Sequence, residues 1–119
     1  MKKTYINKAE DVNRKLILCP IIKIDACGPL VILRLYYTNI WYGTSWAVEY
    51  IIQDNTIIIE RCIGGAFIYT DRENNYPKIP HEIILNLANK FKLQGENSYT
   101  GTFNIVHYFN LYNFSLDIL

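Results

Sequence analysis

The sequence predicts an α+β domain: an antiparallel sheet of about five to six strands with one main amphipathic helix packed on one face. Three observations predict it. Between Pro29 and Tyr69 lie four segments, Leu30–Thr38, Trp46–Gln53, Thr56–Ile63 and Ala66–Tyr69, dominated by β-branched and aromatic residues, the side chains that pack best on a pleated, half-buried surface. Asp54-Asn55 separates two of them at two-residue hairpin spacing, and both residue types tolerate the left-handed backbone that such a turn requires. Farther on, Ile83, Ile84, Leu87, Ala88 and Phe91 form one apolar stripe at helical spacing,.

Taken in order, Asn7 with Glu10 forms a capping box and Ala9, Val12 and Leu16 follow at helical spacing, so a short helix is expected at about 8–15,. Leu16–Ile24 is apolar and β-branched but contains Pro20, which lacks a ladder donor. It is expected as an edge strand or as one broken at Cys19-Pro20. Cys27-Gly28-Pro29 turns the chain into Leu30–Thr38. That segment is largely apolar on both sides, with Val31, Leu33, Leu35 and Tyr37 on one and Leu30, Ile32, Arg34 and Tyr36 on the other, which marks a central strand,.

In Trp46–Gln53, Trp46, Val48, Tyr50 and Ile52 share a face opposite Ala47, Glu49 and Ile51. In Thr56–Ile63, Ile57, Ile59 and Arg61 alternate with Ile58, Glu60 and Cys62. Each hairpin arm so has one mainly apolar face and one that carries charge, as a half-solvated sheet requires. Gly64-Gly65 interrupts the chain before Ala66–Tyr69, and Thr70–Lys78 is an exposed polar loop,. The helix is expected at about Pro80–Gln94, with Pro80 in its first turn, Glu82 near the start, Lys92 near the end and Gly95 as terminator,. Glu96–Gly101 reads as a polar loop. Phe103, Ile105, His107, Phe109 and Leu111 then alternate in one register and Tyr112, Phe114, Leu116 and Ile118 in the other, which predicts strand with a bulge or bend near Leu111-Tyr112, or two strands,.

The 119 residues suit one domain, 1–119, with no internal repeat,. A net charge of +1 lacks the electrostatic footprint of a duplex-DNA binder, and equally that of an acidic nucleic-acid mimic. No apolar run approaches the ~18–20 residues that span a bilayer. Met1-Lys2-Lys3 begins like a signal peptide, but Asn7, Lys8, Glu10 and Asp11 stand where its apolar region belongs,. A cytoplasmic protein without a membrane partner is expected. Three cysteines in no metal spacing fit reduced thiols. Ile and Asn make up about a quarter of the chain. Their codons are AT-rich, a bias common in phage and other mobile genes.

Chemical motifs are few. Gly43-Thr44-Ser45-Trp46-Ala47 has the outline of a hydrolase nucleophile elbow, but that motif joins a strand to a helix and here the serine precedes a strand, so a plain turn is the better reading,. Cys62 with His81 or His107 would make a nucleophile pair, yet a buried structural thiol is much the commoner case. His107 falls among Phe103, Ile105 and Phe109 on an inward face and reads as a core histidine; His81 reads as a surface one. The two histidines and three cysteines lack zinc spacing,. No glycine-rich loop joins strand to helix, so no phosphate cradle is expected. No catalytic set, metal or cofactor is assigned.

The most function-like feature is aromatic. Tyr36, Tyr37, Trp41, Tyr42, Trp46 and Tyr50 place six rings within fifteen residues. Trp and Tyr are the anchors that protein interfaces use most. With the charged loop around Asp71 and Arg72, the binding residues expected are Tyr36, Tyr37, Trp41, Tyr42, Asp71 and Arg72. The function expected is a small accessory factor, of inhibitor or immunity type, that docks on another protein. Two alternatives stand beside it: a single-strand nucleic-acid binder using the sheet aromatics with Arg34 and Arg61, and a small enzyme using His107 with Cys62 or Glu60. A homodimer is also expected to be within reach, because an apolar edge strand invites a second copy.

Overall fold

The computed structural model describes residues 18–39, 44–63, 78–95 and 97–114, with backbone alone at 38, 39, 44–46 and 93. The short helix expected at 8–15, the strand expected at 66–69 and most of the polar loop after it lie outside the described residues. Five strands and two helices follow in the order β1 (Ile21–Cys27), β2 (Leu30–Asn39), β3 (Thr44–Gln53), β4 (Thr56–Ile63), α1 (His81–Gln94), β5 (Ser98–Thr102) and α2 (Ile105–Tyr112). The strands form one antiparallel sheet in the order β4-β3-β2-β1-β5. The architecture is α+β, and β2, apolar on both sides, is its central strand.

Local chemistry explains the first four strands. β1 begins one residue after Pro20, so the proline stays out of the ladder, and the strand lies between β2 and β5 and not at an edge. Cys27 pairs with Leu30, so Gly28 and Pro29 are the whole turn. Gly28 has φ 60°, and proline holds the next φ near −65°, the pattern of a type II′ hairpin turn. Asp54 and Asn55 have φ 54° and 58°, two successive left-handed residues, as type I′ requires.

Between that turn and Glu60 the ladder slips. Ile52 pairs with Ile57 but Ile51 with Ile59, so Ile58 is an extra residue, a β-bulge,. Alternation alone puts Ile57 and Arg61 on one face; the bulge separates them. Ile57 and Cys62 pack against the core, while Arg61 pairs with Glu49 on the other face.

α1 starts where proline chemistry puts it. Pro80 is the cap rather than the first helical residue, with φ −55° and ψ 139°, and its carbonyl accepts from the N–H groups of Ile83 and Ile84. Glu82 and Lys92 sit in the first and last turns as the helix dipole favours,. Gly95, left-handed at φ 70°, donates its N–H to Lys92 O and ends the helix,. The helix begins beside β4, where His81 Nε2 lies 2.7 Å from Glu60 Oε1, and passes the β3–β4 turn, where Asn89 Nδ2 donates to Asn55 Oδ1 at 3.0 Å. It thus carries the chain from one edge of the sheet to the other, and β5 pairs with β1. Among the described residues no helix is long and apolar enough to cross a membrane.

One core lies between α1 and one face of the sheet. Ile22, Ile24, Val31, Leu33, Leu35, Tyr37, Val48, Tyr50 and Ile52 are buried from below, Ile83, Ile84, Ala88 and Phe91 from above, and Phe103, Ile105 and Phe109 at one end.

The segment after α1 departs from the sequence expectation twice. Glu96–Gly101 is expected as a polar loop, but Ser98–Thr102 is edge strand β5. The alternation from Phe103 onward, expected as strand, is the helix α2. Its buried and half-buried residues Ile105, Tyr108, Phe109 and Tyr112 repeat at i, i+3, i+4 and i+7,. Asn104 caps its start by accepting from His107 N–H at 3.0 Å, and left-handed Asn113 ends it,. His107, expected in the core, is exposed.

Candidate functional site

The face of the sheet turned away from α1 carries the charged chemistry. Strand pairing sets its residues in three rows. The middle row runs Thr100, Lys23, Arg34, Glu49, Arg61 from β5 to β4. On one side of it lie Ile21, Tyr36, Ala47 and Ile63; on the other, Asp25, Ile32, Ile51 and Ile59. None of these residues belongs to the cluster under α1, although Ala47 is itself buried, at 1 % exposure. Ile21 is 48 % exposed and Ile59 38 %.

Glu49 is the pivot. It is the one buried charged residue among those described, at 2 % exposure. Its two oxygens are divided between two arginines: Arg34 Nε donates to Oε2 at 2.8 Å and Arg61 Nε to Oε1 at 2.9 Å. Burial opposes the charged carboxylate, but the hydrogen bonds from Arg34 and Arg61 outweigh it and hold Glu49 below the usual carboxylate range,. The bond to Glu49 in turn raises Arg34 above its ordinary value, against the effect of burial. The arginines themselves remain in contact with water, with side chains 32 % and 57 % exposed. Beside them Lys23 Nζ lies 5.7 Å from the Tyr36 ring centroid, within cation–π range,.

The Ile58 bulge makes this cluster. Gln53 faces Thr56 and Ile52 faces Ile57, so an uninterrupted ladder would set Glu49 opposite Glu60. Like charges directly opposite one another destabilise a sheet. The extra residue brings Arg61 to Glu49 instead, and turns Glu60 toward His81 at the first residue of α1, near the positive end of its dipole,.

The expected binding residues divide. Tyr36 is half-buried on the open face. Tyr37 is 1 % exposed and belongs to the core; its neighbours in the strand force it inward, because adjacent strand residues face opposite ways. It therefore offers no surface to a partner. Tyr50 is likewise core. Trp41, Tyr42, Asp71 and Arg72 lie outside the described residues, as does the side chain of Trp46.

The enzyme constellation also separates. Glu60 has a histidine partner, but it is His81 rather than His107. His107 is exposed on α2, its ring edge-on to Tyr108 at 5.4 Å, and Cys62 packs against the core from β4. Cys19 and Cys27 are free and exposed thiols. Among the described residues no three His, Cys, Asp or Glu side chains group as metal ligands.

Arg34 and Arg61 are visible in the sequence as basic residues of the sheet, but Glu49 as their organiser is not. The one available signal was its position between branched and aromatic residues in the middle of a strongly β-forming run, a setting in which a carboxylate needs a partner. Set against known proteins, the chain matches no protein-family model, no curated protein and no solved structure.

Proposed function

We propose that this chain is a small protein-binding accessory factor, of inhibitor or immunity type, that docks through the open face of its sheet onto an acidic surface of another protein. The observation that carries the reading is the Arg34–Glu49–Arg61 cluster flanked by the partly exposed isoleucines Ile21 and Ile63 on one side and Ile32, Ile51 and Ile59 on the other. Each arginine uses only Nε on Glu49; Arg34 also bonds Tyr36, while the outer nitrogens of the more exposed Arg61 face water, and arginine is the side chain best suited to fork onto carboxylates. Holding both guanidinium groups in place beforehand lowers the ordering cost of binding. The apolar rows beside them supply the dry contact an interface core needs. The test compares wild type with Arg61→Ala as bait in the native host lysate. A partner retained by wild type, weakened by salt and lost with folded Arg61→Ala is expected; a partner held equally by both proteins rejects the reading.

A second reading has its own observation: Lys23, Tyr36, Arg34 and Arg61 adjoin on one face, a small version of the aromatic and basic surface that binds single-stranded nucleic acid. Fluorescence anisotropy with labelled oligonucleotides near physiological salt separates the two. Sub-micromolar binding that Tyr36→Ala removes would favour nucleic acid over protein.

A further inference from the structure

We infer that β5 is a pairing edge for a second copy of this chain, joining two sheets into one of ten strands across a two-fold axis at Thr100.

The two outer strands differ in how their edges are protected. β4 is defended as edge strands usually are: it carries the Ile58 bulge and the charged pair Glu60 and Arg61,. β5, Ser98-Tyr99-Thr100-Gly101-Thr102, has no charge, no proline and a regular register with β1. Four of its five residues are exposed. Among the described residues it has a neighbour on one side only.

The ladder fixes which backbone groups face outward. Ala26 N–H donates to Asn97 O and Phe103 N–H to Pro20 O, both at 2.9 Å. Hydrogen-bonded pairs alternate in an antiparallel ladder, so Tyr99 and Gly101 also direct their backbone groups to β1. The N–H and C=O groups of Ser98, Thr100 and Thr102 therefore point away from the sheet. An antiparallel copy centred on Thr100 pairs all of them at once: Thr100 with its own counterpart, and Ser98 with Thr102 in both directions. A shift of two residues either way leaves some of them without a partner.

The same register suits the side chains. Threonine faces threonine and serine faces threonine, pairings that stabilise a sheet. Tyr99, 42 % exposed, falls opposite the partner's Gly101, where no side chain obstructs it. Tyr99 already lies along its own strand over Gly101, where any Cβ would collide with its ring. Charge does not oppose the joint: Lys23 and its counterpart would stand three strand spacings apart, about 14 Å, beyond the ~8–10 Å screening length at physiological salt. So short an edge implies a weak, concentration-dependent dimer.

Sedimentation velocity over a range of concentrations tests this with the full chain. Wild type is expected to show a monomer–dimer equilibrium. Thr100→Glu should weaken it about tenfold or more by setting two carboxylates face to face, while leaving the thermal melt intact because the new carboxylate lies beside Lys23 within its own sheet. Thr100→Lys should weaken it likewise, and mixing the two variants should restore association. Ile58→Glu on the opposite edge should change nothing. A wild type that stays monomeric throughout, a dimer that Thr100→Glu leaves untouched, or one that Ile58→Glu abolishes would each overturn the inference.

Discussion

The two faces of the sheet are built from the same strands but are ordered by different forces. On the covered face every position from Ile22 to Ile52 is apolar and α1 closes over it. Burial decides there, and the side chains matter through volume and fit. On the open face a single buried carboxylate sets the arrangement: Glu49 fixes Arg34 and Arg61 by direction as well as by charge. Adjacent residues of one strand therefore obey different rules, and the contrast can be broken experimentally.

The largest effect belongs to the covered face. Leu33 is fully buried in the central strand, and its neighbour Ile32 lies opposite Asp25 on the open face. Leu33→Lys should cost several kcal/mol and leave the chain unfolded, because a lone charge has no partner there. Ile32→Lys should stay within about 1 kcal/mol, since Asp25 can answer the new charge. Chemical denaturation of both variants checks the pair; equal losses would mean that the open face is packed like the other.

Next comes the end of the core that α2 closes. Phe109 is 2 % exposed and Leu111 62 %. Phe109→Ala should cost ~3–5 kcal/mol, the usual penalty for emptying a large aromatic site, and Leu111→Ala should be nearly neutral. A strand running through these positions would give both residues the same face and similar losses, so the comparison tests helix against strand directly.

The open face itself should respond more mildly. Glu49→Gln is expected to cost about 1–2 kcal/mol at neutral pH, less than a fully buried ion pair because water reaches both arginines. The carboxyl is held below its ordinary value in the folded chain. Its stabilisation is therefore complete above the ordinary glutamate value of about 4.3 and is lost as pH falls through the lower folded value, since the unfolded chain takes up the proton first. Urea unfolding of wild type and Glu49→Gln should show a difference at neutral pH that narrows below about pH 4. A gap that persists in acid would show that Glu49 acts by shape rather than by charge.

These differences also explain what the sequence could reveal. Gly28-Pro29, Asp54-Asn55, the central place of β2 and the stripe of α1 were legible because each depends on local backbone chemistry or a single period. β5 was not: Tyr99, Thr100 and Thr102 favour strand, but Ser98 and Gly101 interrupt them and no apolar alternation marks a buried face, so the segment reads as polar loop until its long-range ladder with β1 is seen,. In α2 two periods coincided. Phe103, Ile105, Phe109 and Leu111 satisfy alternation by accident, while Ile105, Tyr108, Phe109 and Tyr112 between the caps Asn104 and Asn113 carried the helical pattern that won,. At the candidate site the charged residues were visible but their partners were not. One bulge residue, Ile58, decides whether Glu49 meets Glu60 or Arg61, and nothing in the local pattern announces it.

The smallest expected effect is the most informative for function. Arg34 and Arg61 donate to the same carboxylate at nearly equal distances, yet Arg34 sits in the central strand at 32 % side-chain exposure and Arg61 in the edge strand at 57 %. Removing Arg61 lets water reach the carboxylate oxygen it held, so the lost pair is largely replaced by hydration. Arg61→Ala should therefore cost no more than about 0.5 kcal/mol, as exposed ion pairs generally do. Arg34→Ala should cost more, about 1 kcal/mol or above, because it also strips an apolar stem from between Lys23 and Glu49 in the row,. Parallel urea titrations would resolve the two. If Arg61→Ala proves as damaging as Glu49→Gln, the arginine is committed to the fold, and a partner binding at this face would have to break the clamp instead of using it.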